Sequence, residues 1–325
     1  MRVAVIGGTR FVGRAIVEEL VERGDDVLVV HRGETEPADL PPVAHAHADR
    51  SRFADVAGDV ARFRPDVVVD CVAYTAADCD AVLPHLGRDL RLVLLSSMDT
   101  YRAFGAVLTD DETDPVPITE ESPVRPERYP YRDSPRLRTP DYDKLDVEPR
   151  YLDRGAAVLR LPMVYGEHDA QRREEFVLRR VRAGRSRIPV GAGNWLWTRG
   201  YVRDVAKAVR LAAVTDAAAG EVFNVGELTT ASFRLWTRQI LAAAGHEAEL
   251  VPVADASLPD DLRFLAARRQ HVLVDSAKAT RVLGWRHSDV EEAVAASVRW
   301  HLDHPPAEAD GDFAADDAAL AGQTP

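Results

Sequence analysis

The chain has 325 residues, 46% hydrophobic and 29% charged, an ordinary globular composition with length for one large domain or two sharing a core. Its formal net charge of −12 opposes binding to a polyphosphate surface, which needs clustered cations. No apolar run approaches the ~20 residues that span a bilayer, and no basic region followed by an apolar core opens the chain, so no membrane association and a cytoplasmic location are expected.

Residues 2–6 read as a short apolar strand (Val3, Ala4, Val5, Ile6) that runs into Gly7-Gly8-Thr9-Arg10-Phe11-Val12-Gly13. An amphipathic helix is expected over 14–23. A strand, a glycine turn and a helix N-terminus in this order build a pyrophosphate cradle: Gly7 permits the turn, backbone N–H groups face the phosphates, and Gly13 allows close helix–strand packing. An ordinary tight turn is the bland alternative, and the position of the motif between a clean strand and a clean helix argues against it.

Strands over 26–30, 66–72 and 91–95 then alternate with helices over 52–63 and 76–85. Near-continuous apolar strands separated by helices imply a parallel sheet covered on both faces, with ligands outside the carboxyl ends of its strands. Gly7, His31, Ala73 and Ser97 all stand at such ends. Cys71 and Cys79, the two cysteines, read as buried free thiols. His45 and His47 have no companion ligands at metal spacing along the chain, so no metal is expected.

The alternation stops over 109–141, where prolines at 115, 117, 123, 126, 130, 135 and 140 disfavour helix and strand. Arg128-Tyr129-Pro130-Tyr131-Arg132 is too aromatic for a plain linker, and a loop ordered over the crevice is expected. A helix over 142–154 and a strand over 156–161 complete a first domain, residues 1–165. A helix over 172–183, a turn at 191–193, a strand near 222–225 and a helix over 233–244 make a smaller substrate-binding domain, residues 166–304. Residues 305–325, acidic and without a base between Glu308 and Asp317, read as a disordered tail.

The glycine turn, Ser96-Ser97-Met98-Asp99-Thr100-Tyr101, Leu159-Arg160-Leu161-Pro162-Met163-Val164-Tyr165-Gly166, Val222-Phe223-Asn224-Val225-Gly226, Asp275-Ser276-Ala277-Lys278 and Leu283-Gly284-Trp285 occur in this order. Together they resemble the extended short-chain dehydrogenase/reductase superfamily, its NAD(P)-dependent epimerase/dehydratase group, over about residues 1–304. The resemblance implies a Rossmann-type doubly wound α/β fold. It also implies an oxidoreductase or redox-neutral epimerase/dehydratase acting on a hydroxyl or carbonyl carbon of a sugar-like or other polar small molecule. Gly7, Thr9, Arg10, Phe11, Val12, Gly13, His31, Arg32, Asp49, Arg50, Ala73, Lys144 and Pro162 are the implied cofactor contacts.

Several positions depart from the family pattern. Arg10 replaces its third glycine, and the second strand ends in His31-Arg32 where an acid commonly holds the adenosine ribose. Arg10 and Arg32 would suit a 2′-phosphate, so NADP is favoured over NAD, against the alternative of two solvated surface arginines. In the superfamily's Ser…Tyr-x-x-x-Lys arrangement, Ser97 and Lys144 match, but Pro140 stands where tyrosine belongs. Tyr142 precedes Lys144 by two residues, a spacing that puts side chains on opposite faces of a regular helix. Thr139 and Pro140 read as N-cap and first helical residue, placing Tyr142 in an opening turn able to adjust. Tyr142 is the expected proton carrier, with Tyr131 from the loop second and Tyr101 third; ordinary packing is the alternative for each.

On the substrate side, Asp99, Tyr101, Trp197 and Arg199 are candidates. Trp197 stands seven residues before Asp204, where members that bind nucleotide sugars place an arginine, and Arg199 follows two later. Trp195 and Trp197 share a strand face and would either wall a pocket or pack in the core. Two other readings stay open: a non-catalytic NAD(P)-binding sensor or scaffold, motivated by Pro140, and an RNA-binding atypical member, suggested by Gly-Gly-Thr-Arg-Phe. The acidic balance argues against nucleic acid. A small-molecule partner is expected, and a homodimer is the assembly considered.

Overall fold

The computed structural model describes residues 1–133, 139–307 and 311–322. Along the chain run β1 (Arg2–Ile6), β2 (Asp26–His31), β3 (Ala44–His47), β4 (Val67–Asp70), β5 (Arg91–Ser97), β6 (Ala157–Leu161), β7 (Met163–Tyr165), β8 (Arg187–Val190), β9 (Arg199–Tyr201), β10 (Val222–Asn224) and β11 (Glu249–Pro252). Seven form one sheet in the order β10-β6-β5-β4-β1-β2-β3, with every neighbouring pair parallel. The pairs β7–β9 and β8–β11 lie outside it.

The helices are α1 (Phe11–Glu22), α2 (Ala57–Phe63), α3 (Ala76–Val82), α4 (Arg102–Thr109), α5 (Lys144–Leu152), α6 (Glu175–Arg182), α7 (Val202–Val214), α8 (Phe233–Ala243), α9 (Ala277–Leu283), α10 (Val290–Asp303) and α11 (Ala314–Ala321). Alternate residues of β1 serve opposite faces of the sheet. Val3 and Val5 join Ile16, Leu20 and Val205 under α1 and α7, whereas Ala4 and Ile6 join Val60, Val82 and Val147 under α2, α3 and α5. This is the covered parallel sheet that the apolar strand runs require.

The strand near 222–225, assigned from sequence to the smaller domain, is an edge strand of the main sheet. Val222, Phe223 and Asn224 pair with Val158, Leu159 and Arg160. The chain thus leaves the sheet after β6, forms α7 against α1, and returns. Strand β3 escaped the sequence reading because Ala44–His47 is short and mostly exposed. The expected helix over 52–63 is split into a 3-10 turn at Arg50–Asp55 followed by α2.

The acidic tail is also corrected where the structure describes it. Arg180 is fully buried on α6, and a buried guanidinium needs carboxylates. Asp261 and Asp316 supply them: Arg180 Nε and Nη2 donate to Asp316 at 2.8 and 2.7 Å. That pair fixes α11, with Leu320 buried beneath it. Glu308 and Asp310 lie outside the described residues.

Much of the proline-rich stretch is ordered by side chains from elsewhere. Gln270 Oε1 accepts from the N–H groups of Thr113 and Asp114, and Ile118 exchanges backbone hydrogen bonds with Leu273 and Asp275. Arg125, 1% exposed in its side chain, pairs with Asp143 and donates to the carbonyl of Asp99. Residues 134–138 of the expected lid, including Pro135, lie outside the described residues.

Candidate active site

A cleft of about 810 Å³ opens at the carboxyl ends of β1, β2, β4 and β5. At its floor, Gly7 adopts φ +89°, and a Cβ on Gly13 would stand 2.0 Å from the Gly7 carbonyl oxygen. Only glycine allows this approach of α1 to the turn. The Arg10 side chain does not cap α1, and the first N–H groups of the helix, on Phe11, Val12 and Gly13, have no intrahelical acceptor. An uncapped helix N-terminus lining a cleft fits a dinucleotide diphosphate. Of the expected cofactor residues, Gly7, Thr9, Arg10, Phe11, Val12, Gly13, His31, Arg32, Asp49, Arg50, Lys144 and Pro162 line this cleft.

Some of them are already engaged. Arg50 forks onto Asp70 at 2.8 and 2.7 Å and donates to the Asp78 carbonyl, which makes it a brace under the cleft. Asp49 accepts from the Ser51 N–H, and the Ser51 hydrogen bonds hold its carboxyl below the usual range. Arg10 donates to Thr35 at 2.8 Å, and Arg32, exposed on the rim, pairs with Glu34 at 3.1 Å. Ala73 is fully buried and contributes only its carbonyl, as an acceptor for Lys144. Cys71, expected to be buried, is half-buried on the cleft wall, where burial pushes its thiol up.

Ser97 ends β5, and its hydroxyl accepts from the Asp99 N–H at 3.2 Å. Lys144 opens α5 and is buried; its Nζ donates to the carbonyls of Ala73 and Leu95 at 2.6 and 2.8 Å. Burial lowers the pKa of this ammonium. The N-cap of α5 is Asp143, not Thr139: Asp143 accepts from the Leu145 N–H at 2.9 Å and has extended backbone angles, φ −158° and ψ 108°. Tyr142 therefore precedes the helix, and the opposite-face constraint of a two-residue helical spacing does not apply to it.

Tyr142, Lys144 and Ser97 consequently line the same cleft. The Tyr142 hydroxyl donates to Asp99 Oδ2 at 2.8 Å, and Tyr131 donates to the same oxygen at 3.2 Å. Among the described residues, Asp99 Oδ1 is buried without a hydrogen-bond partner. Burial raises the Asp99 carboxyl above its ordinary value, and burial with the Asp99 charge raises Tyr142 well above that of a free tyrosine. The expected substrate contact Asp99 is thus the shared acceptor of two candidate tyrosines.

The other substrate candidates go elsewhere. Tyr101 is fully buried, donates to Asn224 Oδ1 at 2.7 Å and lies under Arg160. Arg199 is buried against Trp236 and donates to the Ala231 carbonyl at 2.6 Å; burial pushes its pKa down to about 10. Trp197 packs edge-on to Phe104 and donates to Met98 Sδ at 3.4 Å, while Trp195 stacks on Phe233. None of these four lines the cleft.

Residues not singled out from the sequence do line it: Tyr74, Gln171 and Arg173. Tyr74 directly follows Ala73, which the sequence marks as a strand end although β4 itself stops at Asp70. Gln171 and Arg173 lie between β7 and α6, where the helix expected from 172 begins only at Glu175, and nothing in the sequence set them apart. His45 and His47, without companions along the chain, meet His31 and Glu36 across the β2–β3 pairing.

The profile of the NAD dependent epimerase/dehydratase family matches residues 3–226. The chain belongs to this family. It is accordingly an enzyme of the nicotinamide-dependent epimerase/dehydratase class, and its Rossmann-type sheet is that of the family. Among curated relatives, the chloroplast stem-loop binding protein of 41 kDa b of Arabidopsis thaliana is 25% identical over 98% of this chain and 84% of its own length. The dTDP-glucose 4,6-dehydratase 1 of Escherichia coli K12 is 24% identical over 93% of each chain. Among solved structures, the UDP-glucose 4-epimerase of Thermotoga maritima with UDP-glucose superposes with TM-score 0.67 at 19% identity, covering 94% of this chain and 99% of that one. The dTDP-glucose 4,6-dehydratase of Bacillus anthracis in complex with NAD gives 0.69 at 15% identity, covering 93% and 97%. At these identities the two structures speak for the fold. Among the described residues no helix is long and apolar enough to cross a membrane.

Proposed function

We propose that the cleft holds a nicotinamide dinucleotide, with NADP(H) preferred, and that Ser97, Tyr142 and Lys144 serve hydride chemistry at a hydroxyl or carbonyl carbon of a sugar-like substrate. The observation that carries this reading is the convergence of those three side chains beside the uncapped N-terminus of α1. The cofactor supplies a carbon that accepts or donates hydride. The N–H groups of Phe11, Val12 and Gly13 hold its diphosphate. Lys144 spends two of its three N–H donors on Ala73 and Leu95, and the third remains for a ribose hydroxyl. Ser97 orients the substrate oxygen, and Tyr142 moves the proton between that oxygen and Asp99.

The named relatives define the test panel: dTDP-glucose from the E. coli dehydratase, UDP-glucose from the Thermotoga maritima epimerase and a stem-loop RNA from the Arabidopsis protein, with simple ketones added. Turnover of at least one sugar or carbonyl compound of this panel with NAD(P) and no RNA shift is expected. An RNA shift without turnover would replace this reading.

Two further outcomes follow. Lys144→Ala should weaken cofactor binding at least about tenfold and abolish turnover while leaving the circular-dichroism spectrum intact. Unchanged affinity and rate would assign Lys144 to packing alone. Calorimetry should show tighter binding of NADP(H) than NAD(H), and Arg32→Ala should narrow the gap. One guanidinium–phosphate pair, at ~1.5–3 kcal/mol, corresponds to roughly ten- to a hundredfold. Glu34 already pairs with Arg32 and must give way to the phosphate, which places the effect at the lower end. Equal affinities would remove the NADP preference.

A further inference from the structure

Strand β3 carries His45-Ala46-His47, so both imidazoles project from one side of the strand. In the parallel register His31 stands opposite His47, and Val29 opposite His45. Glu36 reaches the same place from the connection between β2 and β3. The four side chains converge: His31 Nε2 lies 2.9 Å from His45 Nδ1 and 3.3 Å from Glu36 Oε1, and His47 Nε2 lies 2.6 Å from Glu36 Oε1. All four ligand atoms fall within 4.8 Å of one another.

We propose that His31, Glu36, His45 and His47 form a binding site for a first-row transition-metal ion of the zinc class, on the adenosine-side rim of the dinucleotide cleft. The donor set supports that class. Three imidazole nitrogens and one carboxylate oxygen suit Zn²⁺ over Mg²⁺ or Ca²⁺, which take oxygen ligands. The spacing supports it as well. Metal–ligand distances of about 2.0–2.1 Å in a tetrahedron separate the ligands by roughly 3.3 Å, and the observed separations bracket that value.

The fold prearranges the site. Two ligands share one strand, a third lies on its hydrogen-bonded neighbour, and a loop supplies the fourth. The rings are already packed at centroid distances of 5.1, 4.7 and 6.0 Å. One local adjustment is required. His31 Nδ1 now accepts from the Gly33 N–H at 3.2 Å, and ligation through Nε2 places the ring proton on Nδ1. The Gly33 amide must then turn away. Gly33 is an exposed glycine at φ +79°, where such a movement meets little resistance. His31 also lines the cleft, so the ion would border the cofactor site without being needed for the chemistry proposed above.

Tag-free full-length protein, stripped with a chelator and dialysed into metal-free buffer, should be titrated with ZnCl₂ by calorimetry. One equivalent with micromolar or tighter affinity is expected. CoCl₂ should give the intense visible bands of a four-coordinate ion. A His45→Gln/His47→Gln double variant, altered only on an edge strand, should lose at least about tenfold in affinity and the cobalt bands, with its far-UV spectrum unchanged. Glu36→Gln, a milder change on the connecting loop, should weaken binding in the same direction. No stoichiometric uptake by the wild type, or equal uptake by the Glu36→Gln and double variants, would overturn the proposal. The dinucleotide reading stands or falls separately, on cofactor titration of metal-free protein.

Discussion

Replacing Tyr142 by Phe should lower kcat by at least about a hundredfold, the lower end expected for loss of an acid–base group. Phenylalanine keeps the ring packed against Tyr74 and Tyr131 at 5.8 and 5.4 Å and deletes only the hydroxyl. The KM for substrate should move much less, because the lost interaction belongs to proton transfer. Tyr131→Phe removes the longer of the two hydrogen bonds to Asp99, 3.2 Å against 2.8 Å, and should cost far less. A near-wild-type Tyr142→Phe enzyme with an inactive Tyr131→Phe enzyme would move the acid to the loop.

The same hydroxyl sets a pH dependence. When a substrate hydroxyl loses its proton, Tyr142 passes a proton on and Asp99 must be ionised to receive it. Burial raises the Asp99 carboxyl above its ordinary range, so activity should rise with pH through a limb lying above that of a free carboxylate. Asp99→Asn should remove that limb along with most of the rate. A limb at the ordinary carboxylate position in the wild type would count against the relay.

Asp143→Ala should destabilise the fold by ~3–5 kcal/mol in denaturant titration, the usual consequence of leaving a buried charge without its partner. Asp143 is fully buried between Arg125 and Arg128 and also accepts from the Tyr129 and Leu145 N–H groups. Arg125 keeps hydrogen bonds to the Asp99 and Glu127 carbonyls, which places the loss toward the lower end. Burial alone would raise the Asp143 carboxyl. Hydrogen bonds from Arg125, the Tyr129 N–H and Arg128 outweigh it and hold the group below its ordinary 3.8. Its contribution is therefore complete above pH 3.8 and is lost as pH falls through the folded-state value. The variant should lack that acid limb of stability. A loss below about 1 kcal/mol would show that the loop and α5 hold without the pair. A second readout is activity: without Asp143 the loop that carries Tyr131 and the cap that positions Tyr142 both loosen.

What was legible from the sequence was local. Gly7 to Gly13 announced a cradle because a tight turn and a close helix–strand approach demand glycines at fixed spacing, and φ +89° at Gly7 is that demand met. Ser97 and Lys144 were singled out because they match the serine and lysine of the superfamily's Ser…Tyr-x-x-x-Lys arrangement, and both line the cleft. Tyr142 was selected with the wrong geometry: Thr139-Pro140 has the composition of a helix start, but Asp143 caps the helix because Arg125 and Arg128 hold its carboxylate there.

The remaining features needed partners distant in the chain. Tyr101 and Arg199 looked like substrate contacts until Asn224, Ala231 and Trp236 claimed them. Asp316 read as solvated until α6 brought Arg180 to it across 136 residues. His45 and His47 read as isolated until parallel pairing set His47 beside His31. Turn geometry, strand ends and amphipathic spacing act over a few residues, so the local order of residues encodes them. A buried charge's partner, a tyrosine's acceptor and a cluster of imidazoles are set by where the folded sheet brings strands and loops together, and only the tertiary structure decides them.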